Sequence, residues 1–251
     1  MSGLFGNFLK KLTITIFIYL SCFSFAFADQ EGTTHGNYLE ADFINTKSSQ
    51  EARVPSGVFN GNMLLNNTIN NSGNGKGLSY RYAFSMEEYL VDPLGRMFIA
   101  PGIFYENLNL EEKKDSLGNS LVIDNRKGLR LDIGVDFDYN ISVYFTNGLS
   151  ALDYTAKWTN LQSLTVSDDA ITYEKVTDDT PRTAISGRSF AYFYGLGVAY
   201  RMFDRISLLL EYSMQSNSLK AKTGSYETTG VIFDRFQTES KFTKLGMAIR
   251  F

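Results

Sequence analysis

Gly128–Thr146 reads GLRLDIGVDFDYNISVYFT. From Gly128 to Phe137 every second residue is apolar: Leu129, Leu131, Ile133, Val135 and Phe137. The intervening positions hold Arg130, Asp132, Gly134 and Asp136. Side chains of a strand alternate between its two faces, whereas a helix would scatter these residues around its circumference. After Asp138-Tyr139-Asn140 the pattern resumes with Ile141, Val143 and Phe145. A hairpin centred on Tyr139 sets Phe137 against Ile141, Val135 against Val143 and Ile133 against Phe145, so one shared face is apolar along the whole ladder.

A second hairpin follows about Asp204, with Met202 against Ile206, Tyr200 against Leu208, Val198 against Leu210 and Leu196 against Tyr212. Its other face holds Gly195, Gly197, Ala199, Arg201, Ser207, Glu211 and Ser213. Working outward, Leu39–Phe43, Leu78–Phe84 and Lys241–Phe251 alternate in the same way. Arg96–Leu110 reads as another strand, with its facing left open by Pro101, which donates no ladder hydrogen bond. The total is eight strands. Tight turns at Asp138–Asn140 and Phe203–Arg205, and a somewhat longer Met86–Gly95 link, alternate with long polar segments at Thr46–Gly77, Glu111–Lys127, Thr155–Arg188 and Leu219–Glu239.

The first residues carry a different signal. Lys10 and Lys11 precede an apolar run, Leu12–Ala28, that ends in Ala26-Phe27-Ala28 before polar Asp29. This is the layout of a secretory leader, so residues 1–28 are expected to be removed and residues 29–251 to form one domain. The sole cysteine, Cys22, goes with the leader, leaving an exported chain without disulfides or thiolate metal sites. After Ala28 no apolar stretch is long enough for a transmembrane helix, so a membrane role belongs to a closed barrel in which every backbone polar group is paired. A net charge of −3, with no basic patch, excludes nucleic acid as a partner.

Alternation alone also suits a soluble secreted ligand-binding β-protein. Glycines mixed with isolated charges on the polar face favour a narrow lumen, and Phe137, Tyr200 and Tyr212 near strand ends favour an interfacial girdle. The expected architecture is therefore an all-β, eight-stranded antiparallel transmembrane barrel with short periplasmic turns and four long extracellular loops.

The closing strand, Leu245-Gly-Met-Ala-Ile-Arg-Phe251, looks like the C-terminal signal by which Gram-negative bacteria insert barrels, with Leu245, Met247, Ile249 and Phe251 on one face. Phe193-Tyr-Gly-Leu-Gly-Val-Ala-Tyr-Arg201, its tight turn and Leu208-Leu-Leu-Glu-Tyr212 resemble the OmpA-like superfamily of small outer-membrane barrels, closest to α-proteobacterial surface-antigen barrels. The resemblance implies a mostly plugged lumen and variable, host-facing loops. It also implies contact with outer-membrane lipid and lipopolysaccharide, and dependence on barrel-assembly machinery.

Glu40, Asp42, Arg81, Arg130, Asp132, Arg201, Glu211, Lys244 and Arg250 fall on the inner face. Both signs in a narrow interior point to an ion-pair network that fills it, or to a filter for ions or solutes. Catalysis is not expected: the one histidine, His35, reads as a solvated residue before the first strand and has no second histidine to work with. Asp168-Asp169 and Asp178-Asp179 read as solvated charge or at most a weak Ca²⁺ site, and no cofactor is expected. In the first long loop Val58, Phe59, Met63, Leu64 and Leu65 either cap the mouth or contact a host or envelope partner; Val231-Ile232-Phe233 and Phe236 in the fourth pose the same choice. The functional expectation is a monomeric, non-catalytic surface antigen, adhesin-like or envelope-integrity protein of the outer membrane, with a small channel for ions or hydrophobic solutes as the alternative.

Overall fold

The computed structural model describes residues 35–53, 68–91, 95–114, 120–137, 140–159, 164–167, 170–173, 182–220 and 235–251. The expected leader, the apolar cluster Val58–Leu65, both Asp-Asp pairs and Val231–Phe233 lie outside these residues. The described strands are β1 (Gly36–Arg53), β2 (Thr68–Val91), β3 (Gly95–Asn107), β4 (Ser120–Phe137), β5 (Ile141–Thr159), β6 (Leu164–Ser167), β7 (Ala170–Tyr173), β8 (Arg182–Phe203), β9 (Ile206–Lys220) and β10 (Arg235–Arg250). Eight of them close a barrel in the order β1-β10-β9-β8-β5-β4-β3-β2, every neighbour antiparallel, while β6 and β7 pair separately.

Register partners followed once round the ring from Tyr38 pass through Arg81, Gly102, Arg130, Gly148, Phe193, Gln215 and Ser240. They return to β1 at Ser48, ten residues further along. Eight strands with this stagger tilt by roughly 35–45° and enclose an interior that side chains can fill.

The ladder between β4 and β5 has Phe137 opposite Ile141, Val135 opposite Val143 and Ile133 opposite Phe145, as alternation requires. In the β8–β9 hairpin Tyr200–Leu208, Val198–Leu210 and Leu196–Tyr212 pair as expected, but Ile206 pairs with Phe203 instead of Met202. An irregularity between Arg201 and Phe203 takes up the extra residue. The β2–β3 ladder is broken opposite Pro101, which has no N–H to give. Inward positions on β3 are Phe98, Ala100, Phe104 and Glu106, which settles the facing that Pro101 obscured.

The strands run further than alternation indicated. Thr46–Arg53 continues β1, and Thr68–Gly77, including most of the Asn-rich run expected as a loop, begins β2. Ser120–Lys127 belongs to β4, Thr155–Thr159 to β5, Arg182–Arg188 to β8 and Arg235–Glu239 to β10.

The outer wall is apolar over the part nearest the short turns. Phe43, Leu78, Ile103, Leu129, Leu149, Leu196, Leu210 and Leu245 all point outward and are exposed. Beyond this belt, toward the long connections, outward residues become Asn45, Lys47, Asn74, Lys76, Asn107 and Lys127. A contiguous apolar surface around a whole barrel is incompatible with water and matches a hydrocarbon layer.

Candidate functional site

Three layers fill the inside. Nearest the short turns, Tyr38, Ala83, Phe98, Ala100, Tyr144, Ala199, Leu209 and Ala248 form an apolar cluster. Glycine makes room for its rings: a Cβ on Gly197 would sit 2.1 Å from the Tyr144 ring, and one on Gly134 would sit 2.7 Å from Phe98. Toward the long connections a second cluster joins Ile44, Leu108, Leu110, Ile123, Leu152 and Phe242.

Between these clusters lies a continuous chain of buried charges. Arg81 pairs with Glu40 and, at 3.0 Å, with Asp132. Arg130 reaches Asp132 at 2.9 Å, Glu211 at 2.7 Å and Glu40 at 3.4 Å. Lys244 bridges Glu211 at 2.8 Å to Glu106 at 2.7 Å, and Glu106 takes Arg126 at 3.0 Å. Four cations (Arg81, Arg126, Arg130, Lys244) meet four anions (Glu40, Glu106, Asp132, Glu211). A buried ion costs several kcal/mol unless paired and hydrogen-bonded, so this balance is what permits the layer. The Ser79 hydroxyl supports it by donating to Glu40 at 2.6 Å.

Aromatic rings enclose the cations. The Arg126 guanidinium lies 4.2 Å from the Phe242 ring centre, 4.4 Å from Phe193 and 4.9 Å from Phe104, and is fully buried. Arg81 lies over Tyr38 and Tyr144. Such contacts are strongest when desolvated. Arg126 Nε also donates to Gln215 Oε1 at 2.9 Å, and Gln215 passes the chain to Asn217 through a 2.8 Å bond.

Of the inner-face residues expected from sequence, Glu40, Arg81, Arg130, Asp132, Glu211 and Lys244 stand in this chain. Asp42 is buried beside Gly246, where a Cβ would meet its carboxylate at 1.9 Å. Arg201 sits nearer the short-turn mouth, partly exposed, and pairs with Asp136 at 3.1 Å, which also accepts from Ser142. Arg250 stands at that rim with its stem over Gly36. Sequence reading missed Glu106 and Arg126, although Arg126 shares the parity of Arg130 and Asp132. His35 is not simply solvated: it is part-buried, its Nε2 3.1 Å from the Tyr82 hydroxyl and its ring edge-on to Tyr82 and Phe84. Leu245, Met247 and Ile249 line the outer face of β10, and Phe251 is exposed just beyond its end.

Above the belt on the outer wall, Asp153 binds Lys127 at 2.8 Å and Arg188 at 2.5 Å. In the segment between β3 and β4, Glu112 accepts from Ser120 at 2.7 Å and Lys157 at 2.9 Å, and these two donors hold its carboxyl below the usual range. Among the described residues no group of three or more His, Cys, Asp or Glu is placed to hold a metal ion.

No protein-family model matches the chain, and no curated protein matches it. Solved structures similar to it include Neisserial surface protein A, at 14% identity over 86% of this chain and 97% of that one, with a TM-score of 0.45. OprG from Pseudomonas aeruginosa is 10% identical over 89% and 99%, with a TM-score of 0.42. Ail, the attachment invasion locus protein of Yersinia pestis, is 11% identical over 86% and 100%, with a TM-score of 0.38. At these values the barrel assignment rests on the hydrogen-bonded ring itself.

Proposed function

We propose that the chain is a monomeric outer-membrane barrel of a Gram-negative cell. In this reading it neither catalyses nor conducts, and it presents its long connections at the cell surface as a surface antigen, adhesin-like contact protein or envelope-integrity component. One observation carries the reading: a lipid-compatible outer wall encloses a lumen closed by a neutral chain of eight charges between two apolar clusters. A conducting pore needs a continuous wet path, and small barrels of this kind are filled by side chains. The short turns then face the periplasm and the long connections the exterior. Residues 1–28 would direct export and be removed in its course. The outward Leu245, Met247, Ile249 and terminal Phe251 would guide the assembly machinery, and Val58, Phe59, Met63, Leu64 and Leu65 would meet the external partner.

Gel mobility of the outer-membrane fraction, with and without boiling, tests the barrel: a faster unboiled band is expected. Planar bilayers test the plug: no unitary conductance is expected, and a resolved, salt-dependent channel overturns it. Recovery in the soluble fraction without a heat shift overturns the membrane placement. Deleting residues 58–65 is expected to abolish binding to host cells, and unchanged binding removes that segment from the contact surface.

A further inference from the structure

Lys47 on β1 and Lys241 on β10 are register partners, both pointing outward and both exposed. Directly opposed residues of an antiparallel pair lie about 4.5–5.5 Å apart, and like charges there repel. On the next strand Lys76 also points outward and is exposed, but it stands opposite Phe43, four residues along β1 from Lys47 and so about 14 Å from it. None of the three has an ion-pair partner among the described residues. Elsewhere at the upper edge of the belt cations have ion-pair partners: Lys127 and Arg188 share Asp153 and, further toward the long connections, Lys157 meets Glu112. Glu239, opposite Ser49, lies diagonal to Lys47 and two residues from Lys241 on the same face, and forms an ion pair with neither.

Two outward positions below the pair, past Asn45 and Thr243, the wall turns apolar: Phe43 is 68% exposed, Leu78 54% and Leu245 52%. Two opposed lysines without an ion-pair partner, just above a hydrocarbon-facing belt, match one ligand shape, an anion joined to acyl chains. Long lysine stems lie along apolar surface while their ammonium groups reach headgroup level.

We propose that Lys47 and Lys241 form a binding site for the phosphate of a lipid headgroup in the leaflet on the long-connection side, with Phe43, Leu78 and Leu245 against its acyl chains. The site rests on the membrane-spanning reading above. A single phosphate held between Lys47 and Lys241 converts their repulsion into two attractions.

The full barrel in bilayers containing spin-labelled phosphatidic acid or spin-labelled phosphatidylcholine tests this, reading the motionally restricted fraction of each. The wild type is expected to prefer phosphatidic acid. K47S/K241S is expected to lose that preference by about fivefold or more, given the attraction of one lysine near an anionic surface. K47R/K241R retains it, and D153N/K127S, on the other wall, leaves it unchanged. The heat-shifted band of each variant establishes that the barrel has formed, and its absence in the wild type speaks against the membrane reading and not against the site. Equal preference in wild type and K47S/K241S overturns the site. Competition by inorganic phosphate at equal concentration overturns its assignment to a lipid headgroup.

Discussion

Glu106 on β3 and Arg126 on β4 are register partners whose side chains meet at 3.0 Å inside the barrel. Glu106 is shared with Lys244, and Arg126 is enclosed by three phenylalanines, so this pair ties the charge layer to the apolar cluster above it.

Removing one partner leaves the other buried and unpaired. Glu106→Gln or Arg126→Met alone is expected to destabilise the barrel by about 3–5 kcal/mol. The double variant leaves three cations and three anions and is expected to cost much less than the sum. Urea titration of the heat-shifted band reads both, and additive losses would show that the two residues are not coupled.

Gly197 is small because Tyr144 lies on it. Gly197→Ala is expected to cost about 1–3 kcal/mol through overpacking. In a Tyr144→Ala background the same substitution is expected to be near neutral. The mutant cycle in the same assay decides, and an unchanged penalty would place the strain elsewhere.

Leu196 and Leu210 face outward within the belt, opposite Tyr212 and Val198 respectively. Leu210→Lys is expected to cost about 2–4 kcal/mol in a bilayer, whereas Ser216→Lys, on the same strand beyond the belt, costs about 1 or less. Unfolding from vesicles measures the difference. Equal costs would mean the belt is not in lipid.

How much of this was legible follows from where alternation has contrast. Around Val135–Val143 an apolar outside meets a polar inside, and strand, register and facing all follow from the sequence. Beyond the belt the outside turns polar at Asn45, Lys47, Asn74 and Lys76 while the inside gains Ile44, Leu108 and Leu152, so the two faces trade character. Thr68–Gly77, rich in asparagine and glycine, then resembles a loop although it is held as a strand against β1, with the β3 ladder joining only from Lys76. Glu106 was hidden by Pro101. Arg126 was hidden because Glu111–Lys127 reads as a loop, and because an irregularity between Ile123 and Asn125 disrupts the pattern just before it.

Glu112 supplies a pH-dependent prediction outside the membrane. Its folded pKa is below the ordinary 4.5, so its stabilisation is complete above that value and is lost as pH falls through the lower one. Hydrogen exchange of residues 110–114 and 120 is expected to be faster in Glu112→Gln than in wild type near neutrality, with the difference closing in acid. The effect is at most about 1 kcal/mol, as for any pair this open to solvent. A difference that widened in acid would reverse the sign and remove Glu112 from this role.

The charges of the central layer come from both ends of the chain. Glu40 lies on β1, Lys244 on β10, and Arg130 on β4 reaches across to both Glu40 and, through Glu211, Lys244. In a sheet that has not yet met its own far edge, neighbouring strands already pair Arg81 with Glu40, Arg126 with Glu106 and Lys244 with Glu211, but the contacts of Arg130 with Glu40 and Glu211 and of Lys244 with Glu106 are missing, and the charged face stays open. Lipid cannot enter that curved sheet without solvating arginines it has no means to solvate. Closing the ring and completing the network are therefore one event, and until then the unfinished wall keeps a charged inner face suited to water.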